Sequence, residues 1–324
     1  MDDNATDTSQ KKLPFNNLFL NSGFVHGLNH WSLYILTISF TLFCYFFAPV
    51  FTFLHLIYLE HQKGMAFEKI LQNINILQDP VASGIDMNFI LVALFGIFIF
   101  AMLALWMGIK KIHHKTFTSV ITAYEKFRLK RFWFAFAVWS AMVVLTVLID
   151  YFLNPSAFEV VFNFQGFIIS LILLVILMPI QTGFEEVFFR GYLLQGLSQV
   201  FKNGIIPLVI TSLIFGAAHM DNPEATKYGW HLMLPFFTGF GLFLGALTLL
   251  DEGLELAFGI HLANNIISSI LITSKDSVLQ TYSVFETKGD DAVSEIIITF
   301  IMMILAFGIL WYKYRWRNFN LIIK

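Results

Sequence analysis

Long apolar runs, separated by short polar or basic punctuation, organise this chain from about residue 31 onward. About 20 consecutive apolar residues are needed to span a bilayer as a helix. Eight runs approach that length: Trp31–Leu59, Phe89–Ile109, Phe132–Phe152, Phe167–Phe189, Ile205–Ala218, Leu232–Leu250, Glu255–Ile272 and Ala292–Tyr312. The fifth is short. The first is long enough to tilt or to continue into an interfacial turn. Between the first two, Met65 to Leu77 is partly amphipathic, a pattern suited to the membrane surface. The pattern predicts an all-α, polytopic membrane protein with about eight transmembrane helices. It divides into a polar N-terminal tail (1–30), N-terminal transmembrane helices (31–165), a core (166–273), and a last transmembrane helix with a basic tail (274–324).

Composition agrees. The 324 residues are 57% hydrophobic and 13% charged, against about 25% charged in a soluble domain. The formal net charge of -2 says little, because the placement of charge decides orientation. Basic residues cluster in the loop after the second run (Lys110, Lys111, Lys115, Lys126, Arg128, Lys130, Arg131), in the C-terminal tail (Lys313, Arg315, Arg317, Lys324) and at Lys11 and Lys12. The alternate loops carry Asp150, Glu159, Asp221, Glu224, Asp290 and Asp291. Lys and Arg in short loops stay cytoplasmic, so both termini are expected there, in a multi-pass protein of the cell (inner) membrane. Met1 to Asn17 is polar and shows no cleavable signal. His113-His114 reads as interfacial, and Asp221 and Glu224 as a solvated loop. The one cysteine, Cys44, allows no intrachain disulfide and argues against a thiolate metal site.

Chemistry concentrates in three places. Glu185 and Glu186 lie in a strongly apolar stretch with Arg190 close behind. Carboxylates in hydrocarbon are costly and point to function. Glu186 and Arg190, four apart, share a helix face and can pair. Glu185, rotated by about 100°, is then left as a free base facing a hydrated cavity. Pro179 and Gly183 predict a local irregularity. The second place is His219, ending Phe215-Gly-Ala-Ala-His. The third is His261 with Asn265, again four apart. Each has a plainer reading: an edge-of-membrane charge cluster, a satisfied histidine, a helix–helix hydrogen bond. Together they meet the needs of peptide hydrolysis. Glu185 with His219 would activate water, and His261 with Asn265 would donate to the oxyanion. Glu185, His219 and His261 also form a candidate zinc set, so the cofactor expectation is none, or zinc. His-Glu-x-x-His and Gly-x-Ser-x-Gly are absent.

The ordered set resembles the CPBP family, which comprises type-2 CAAX prenyl proteases and the bacteriocin-processing or immunity (Abi) proteins. The resemblance rests on Glu-Glu-x-x-x-Arg at 185–190, Phe-x-x-x-His at 215–219 and His-x-x-x-Asn at 261–265. Flanking text, Phe189-Arg-Gly-Tyr-Leu193 and Ser212-Leu-Ile-Phe-Gly-Ala-Ala-His219, agrees. It covers about Phe167 to Ile272 and makes 166–273 a CPBP/Abi-like protease core. It implies an eight-helix intramembrane endopeptidase, often labelled a metalloprotease. Glu185 and His219 would activate water, and His261 with Asn265 would form the oxyanion hole. The expected partners are the bilayer and a peptide or protein substrate at the membrane, prenylated or leader-bearing, and no nucleic acid. The rival readings are a catalytically silent immunity or scaffold protein on the same fold, and a transporter using the Glu/Arg cluster. One tension remains. Glu185 reads as lying near the cytoplasmic end of its helix, whereas His219 follows about fifteen residues of the next, a rise of roughly 22 Å.

Overall fold

The computed structural model describes residues 13–62, 86–288 and 291–323, and the Met65–Leu77 stretch lies outside them. Ten helices carry the argument: α1 (Leu18–Val25), α2 (Trp31–Gln62), α3 (Met87–Met107), α4 (Leu129–Leu153), α5 (Phe164–Glu185), α6 (Leu194–Phe201), α7 (Ile205–Ala217), α8 (Trp230–Asp251), α9 (Glu255–Leu271) and α10 (Ala292–Tyr314). The all-α expectation holds, and the chain is a multi-pass membrane protein. The count of eight spans does not carry over. Among the described residues, six helical stretches are long and apolar enough to cross a bilayer: Trp31–Val50, Met87–Ile112, Leu129–Leu153, Phe164–Phe201, Trp230–Asp251 and Ala292–Tyr314. The other two expected spans are shorter. Helix α7 has 13 residues, a rise of about 20 Å, which falls short of the roughly 30 Å of hydrocarbon. Helix α9 has 17 residues and carries Glu255, His261, Asn264 and Asn265.

The longest element is a continuous 38-residue run, Phe164–Phe201. Helices α5 and α6 are joined by a π-helical stretch, Glu186–Leu193. The expected irregularity at Pro179 and Gly183 is not seen: α5 runs through both positions. The departure from α geometry comes just after, and π turns of this kind often mark functional positions. The run ends at Lys202, whose left-handed backbone (φ 56°) reverses the chain into α7.

One end of the bundle gathers many of the connections. Lys115 Nζ donates to the Gly23 carbonyl (3.0 Å), and Asn17 Nδ2 donates to the carbonyls of Leu249 (2.9 Å) and Leu321 (3.0 Å). Gly204 N–H donates to the Ile323 carbonyl (3.1 Å). The N-terminal segment is therefore not simply a polar tail: from Leu18 it forms α1, whose Phe19 and Leu20 are fully buried. Helix α4 is tied to the α8–α9 turn by Arg128, which pairs with Asp251 (2.9 Å) and Glu255 (2.7 Å), and by Arg131, which also pairs with Asp251. Lys115 is 4% exposed. Three of the seven basic residues in that loop thus serve packing, and Lys110, Lys111, Lys126 and Lys130 remain exposed. The interfacial reading of His113 is corrected: it is fully buried, with Nδ1 against the Leu28 carbonyl (2.7 Å) and Nε2 against Tyr192 Oη (2.8 Å). His114 is exposed.

Segments outside this end form a small sheet of β1 (Phe158–Val160), β2 (Ile272–Thr273) and β3 (Phe285–Thr287). The central β3 runs antiparallel to β1 and parallel to β2. Glu224, in the short helix Pro223–Tyr228, accepts from the Val278 N–H (3.1 Å), so it is tied to the loop before β3 rather than simply solvated. Asp221 is exposed.

Candidate active site

The depth problem is resolved by the long helix. Glu185 lies about sixteen residues before the reversal after Phe201, a rise of about 24 Å. His219 lies about fourteen residues beyond Ile205, about 21 Å. The two arms of a hairpin therefore bring both residues to one level. Helix α9 reaches the same level from a raised start. The Leu254 N–H donates to the Ile121 carbonyl (2.8 Å), and the loop at Val120 presses on Gly191 of the π stretch. A Cβ on Gly191 would stand 2.6 Å from the Val120 carbonyl oxygen, so only glycine permits this approach. Glu185 lies about six residues before Gly191, and His261 about seven beyond Leu254, each a rise of about 10 Å.

The side chains meet accordingly. Glu186 Oε1 accepts from Arg190 Nη1 (2.8 Å) and lies 2.7 Å from His261 Nδ1. His261 Nε2 stands 3.5 Å from Glu185 Oε2. The pairing of Glu186 with Arg190 is as the spacing predicts, and both side chains are 1% exposed. The Arg190 guanidinium also lies over the Phe215 ring, 4.1 Å from its centroid. A buried charge is tolerated only when paired and hydrogen-bonded, and Arg190 meets that need from two elements at once. Phe215 Cα-carbonyl oxygen holds His219 Nδ1 at 2.7 Å. The His219 ring is stacked on Phe237 of α8, with centroids 4.3 Å apart. His219 is therefore oriented by two helices, with Nε2 as its remaining nitrogen.

Asn265 joins the group indirectly. Its Nδ2 donates to Gln181 Oε1 (3.3 Å), and Gln181 Nε2 donates to Glu185 Oε1 (2.6 Å). Gln181 escapes motif reading, although its place four residues before Glu185 on one helix face was a usable signal. Behind Asn265, Asn264 Nδ2 donates to Asn265 Oδ1 (3.2 Å), and Trp139 Nε1 of α4 donates to Asn264 Oδ1 (3.1 Å).

Three buried polar atoms in the cluster, Glu185 Oε2, Glu186 Oε2 and Arg190 Nη2, have no hydrogen-bond partner among the described residues. A buried unpaired polar group is costly; three in one place mark a site built for something other than stability. The candidate zinc set is Glu185, His219 and His261. Among the described residues no group of three or more His, Cys, Asp or Glu is placed to hold a metal ion. His261 engages Nδ1 with Glu186 and His219 engages Nδ1 with a carbonyl, which leaves Nε2 of each ring uncommitted.

Residues 164–267 match the family described as type II CAAX prenyl endopeptidase, Rce1-like. A Bacillus subtilis (strain 168) protein, the uncharacterised YyaK, is 31% identical over 225 residues, covering 68% of this chain and 75% of its own length. No solved structure matches the chain. The matched region begins with α5 and ends in α9, so it contains Gln181, Glu185, Glu186, Arg190, His219, His261 and Asn265.

Proposed function

This chain belongs to the Rce1-like family of type II CAAX prenyl endopeptidases, and from that premise we propose that it is an intramembrane endopeptidase with Glu185 as general base. The single observation that carries the reading is the buried Glu185 Oε2, which accepts no hydrogen bond among the described residues and faces His261 Nε2 at 3.5 Å. A water held between Glu185 and His219 Nε2 gives its proton to Glu185 as its oxygen attacks the scissile carbonyl. Asn265 has a second N–H beyond the one given to Gln181, and it donates to the oxyanion. His261 donates from Nε2 only as the imidazolium, because Nδ1–H is already directed at Glu186. Glu185 then hands its proton to the departing amine as the C–N bond breaks. No step uses a metal.

The substrates are membrane-associated polypeptides, and prenylated or leader-bearing sequences are the ones to offer first. The orientation we propose places both termini in the cytoplasm of a cell whose inner membrane holds the chain. The test is cleavage by purified protein of a panel of prenylated and hydrophobic peptides. Wild type, Glu185→Gln and His219→Ala are compared with and without a strong chelator. Cleavage by wild type alone, insensitive to the chelator, is expected. Loss of wild-type activity in chelator would replace the glutamate mechanism with a metal one. No wild-type cleavage across the panel, from folded protein, would move the reading to a silent binding or immunity role.

A further inference from the structure

Four hydrogen bonds run head to tail from α4, through α9, to Glu185 in α5. Trp139 Nε1 donates to Asn264, Asn264 to Asn265, Asn265 to Gln181, and Gln181 to Glu185 Oε1. The direction is not arbitrary. An indole N–H can only donate, and an ionised carboxylate can only accept. With both ends of one polarity, the three amides between them have one orientation that satisfies every link. Chains of this kind polarise along their length in a low-dielectric interior. Trp139 is fully buried and Gln181 nearly so, Asn264 and Asn265 between them are half-buried, and the last link, Gln181 to Glu185, is buried.

We propose that Gln181 is a positioning residue of the site, anchored through Asn265 and Asn264 by Trp139, which holds Glu185 Oε1 so that Oε2 is the oxygen presented to the reaction. The same link orients the Asn265 amide, so one side chain sets both the base and an oxyanion donor. Neither Gln181 nor Trp139 belongs to the ordered Glu-Glu-x-x-x-Arg, Phe-x-x-x-His and His-x-x-x-Asn set. The proposal rests on Glu185 being the base.

Steady-state kinetics on a peptide that wild type cleaves test it. Gln181→Met keeps the length of the side chain and removes its donor and acceptor. It is expected to lower kcat by about 10- to 100-fold, the range for a hydrogen bond to a charged group, with KM changed less than about twofold. Trp139→Phe removes the far donor together with part of a buried ring, and is expected to lower kcat by about two- to tenfold. It decides the matter if Gln181→Met does not fold. Glu185→Asp draws the carboxylate back from Gln181, so adding Gln181→Met to it should cost much less than in wild type. An equal cost in both backgrounds would mean a merely structural Gln181 and overturn the proposal. So would a wild-type kcat in Gln181→Met while Glu185→Gln is inactive, which leaves the endopeptidase reading intact. A fully active Glu185→Gln, or a wild type that cleaves nothing, would overturn that reading and this proposal with it.

Discussion

Replacing Arg190 with Met should be among the most damaging single changes to the fold, and its size follows from the site. The guanidinium is buried, bonded to Glu186 Oε1 at 2.8 Å and seated on the Phe215 ring. Removing one partner of a buried ion pair costs about 3–5 kcal/mol, because the other charge is left without compensation. Loss of a desolvated cation–π contact adds up to about 2 kcal/mol. Glu186 keeps His261 Nδ1 as a neighbour, so the lower half of the combined range is expected. Arg190→Lys retains the charge but loses the planar fork, and should fall between wild type and Arg190→Met. Pairing Arg190→Met with Glu186→Gln removes the stranded carboxylate and should recover roughly half of the loss. The assay is equilibrium unfolding in mixed micelles, monitored by tryptophan fluorescence. If Arg190→Met lies within about 1 kcal/mol of wild type, the pair behaves like an exposed one. If the double variant is no better than the single, the stranded-charge argument fails. Either result would refute the reasoning.

Lys115 makes a pH-dependent contribution. Burial pushes its ammonium from 10.5 down to about 8, so between those values the unfolded chain holds a proton that the folded chain has released. Stability should therefore rise with pH across that window, by about 3 kcal/mol in all. The rise should vanish in Lys115→Met, as melting temperature against pH would report; a wild type flat from pH 8 to 10 refutes it. Gly191→Ala, which forces a Cβ against the Val120 carbonyl, should destabilise by about 1–3 kcal/mol and lower cleavage by moving α9; unchanged melting and activity would count against the depth argument. Asp251→Asn removes the charge that faces Arg128 and Arg131 and accepts from Trp316 Nε1. With Glu255 still pairing Arg128, a loss of about 1–3 kcal/mol is expected in the same unfolding assay, and no loss would show the network to be idle.

What the sequence could and could not convey follows one physical division. Apolar runs report burial in hydrocarbon, so each of the eight runs lies on a helix, whereas α1 and α6 fall outside them. A run does not report whether a helix crosses. Helix α7 is apolar enough yet stops after 13 residues, and the long run of α5 does not end at the charged Glu185–Arg190 segment. Polar residues inside a protein look like the end of a span when each charge is judged against lipid, but Glu186 Oε1 is paired with both Arg190 and His261. Reading the charged segment as the end of a span made the meeting of Glu185 with His219 seem awkward. Corrected, the short α7 and the uninterrupted α5–α6 run are two halves of one arrangement. A full-length α7 would carry His219 past Glu185, and an α5 ending at Arg190 would leave no arm to lift Glu185 to it. The motif residues were legible because each motif lies within one helical face. The relay through Trp139, Asn264 and Gln181 was not, because its links join α4, α9 and α5 across 125 and 84 residues of chain. Motif spacing shows which residues share a helix face; only the register between helices shows which amide ends on the Glu185 carboxylate.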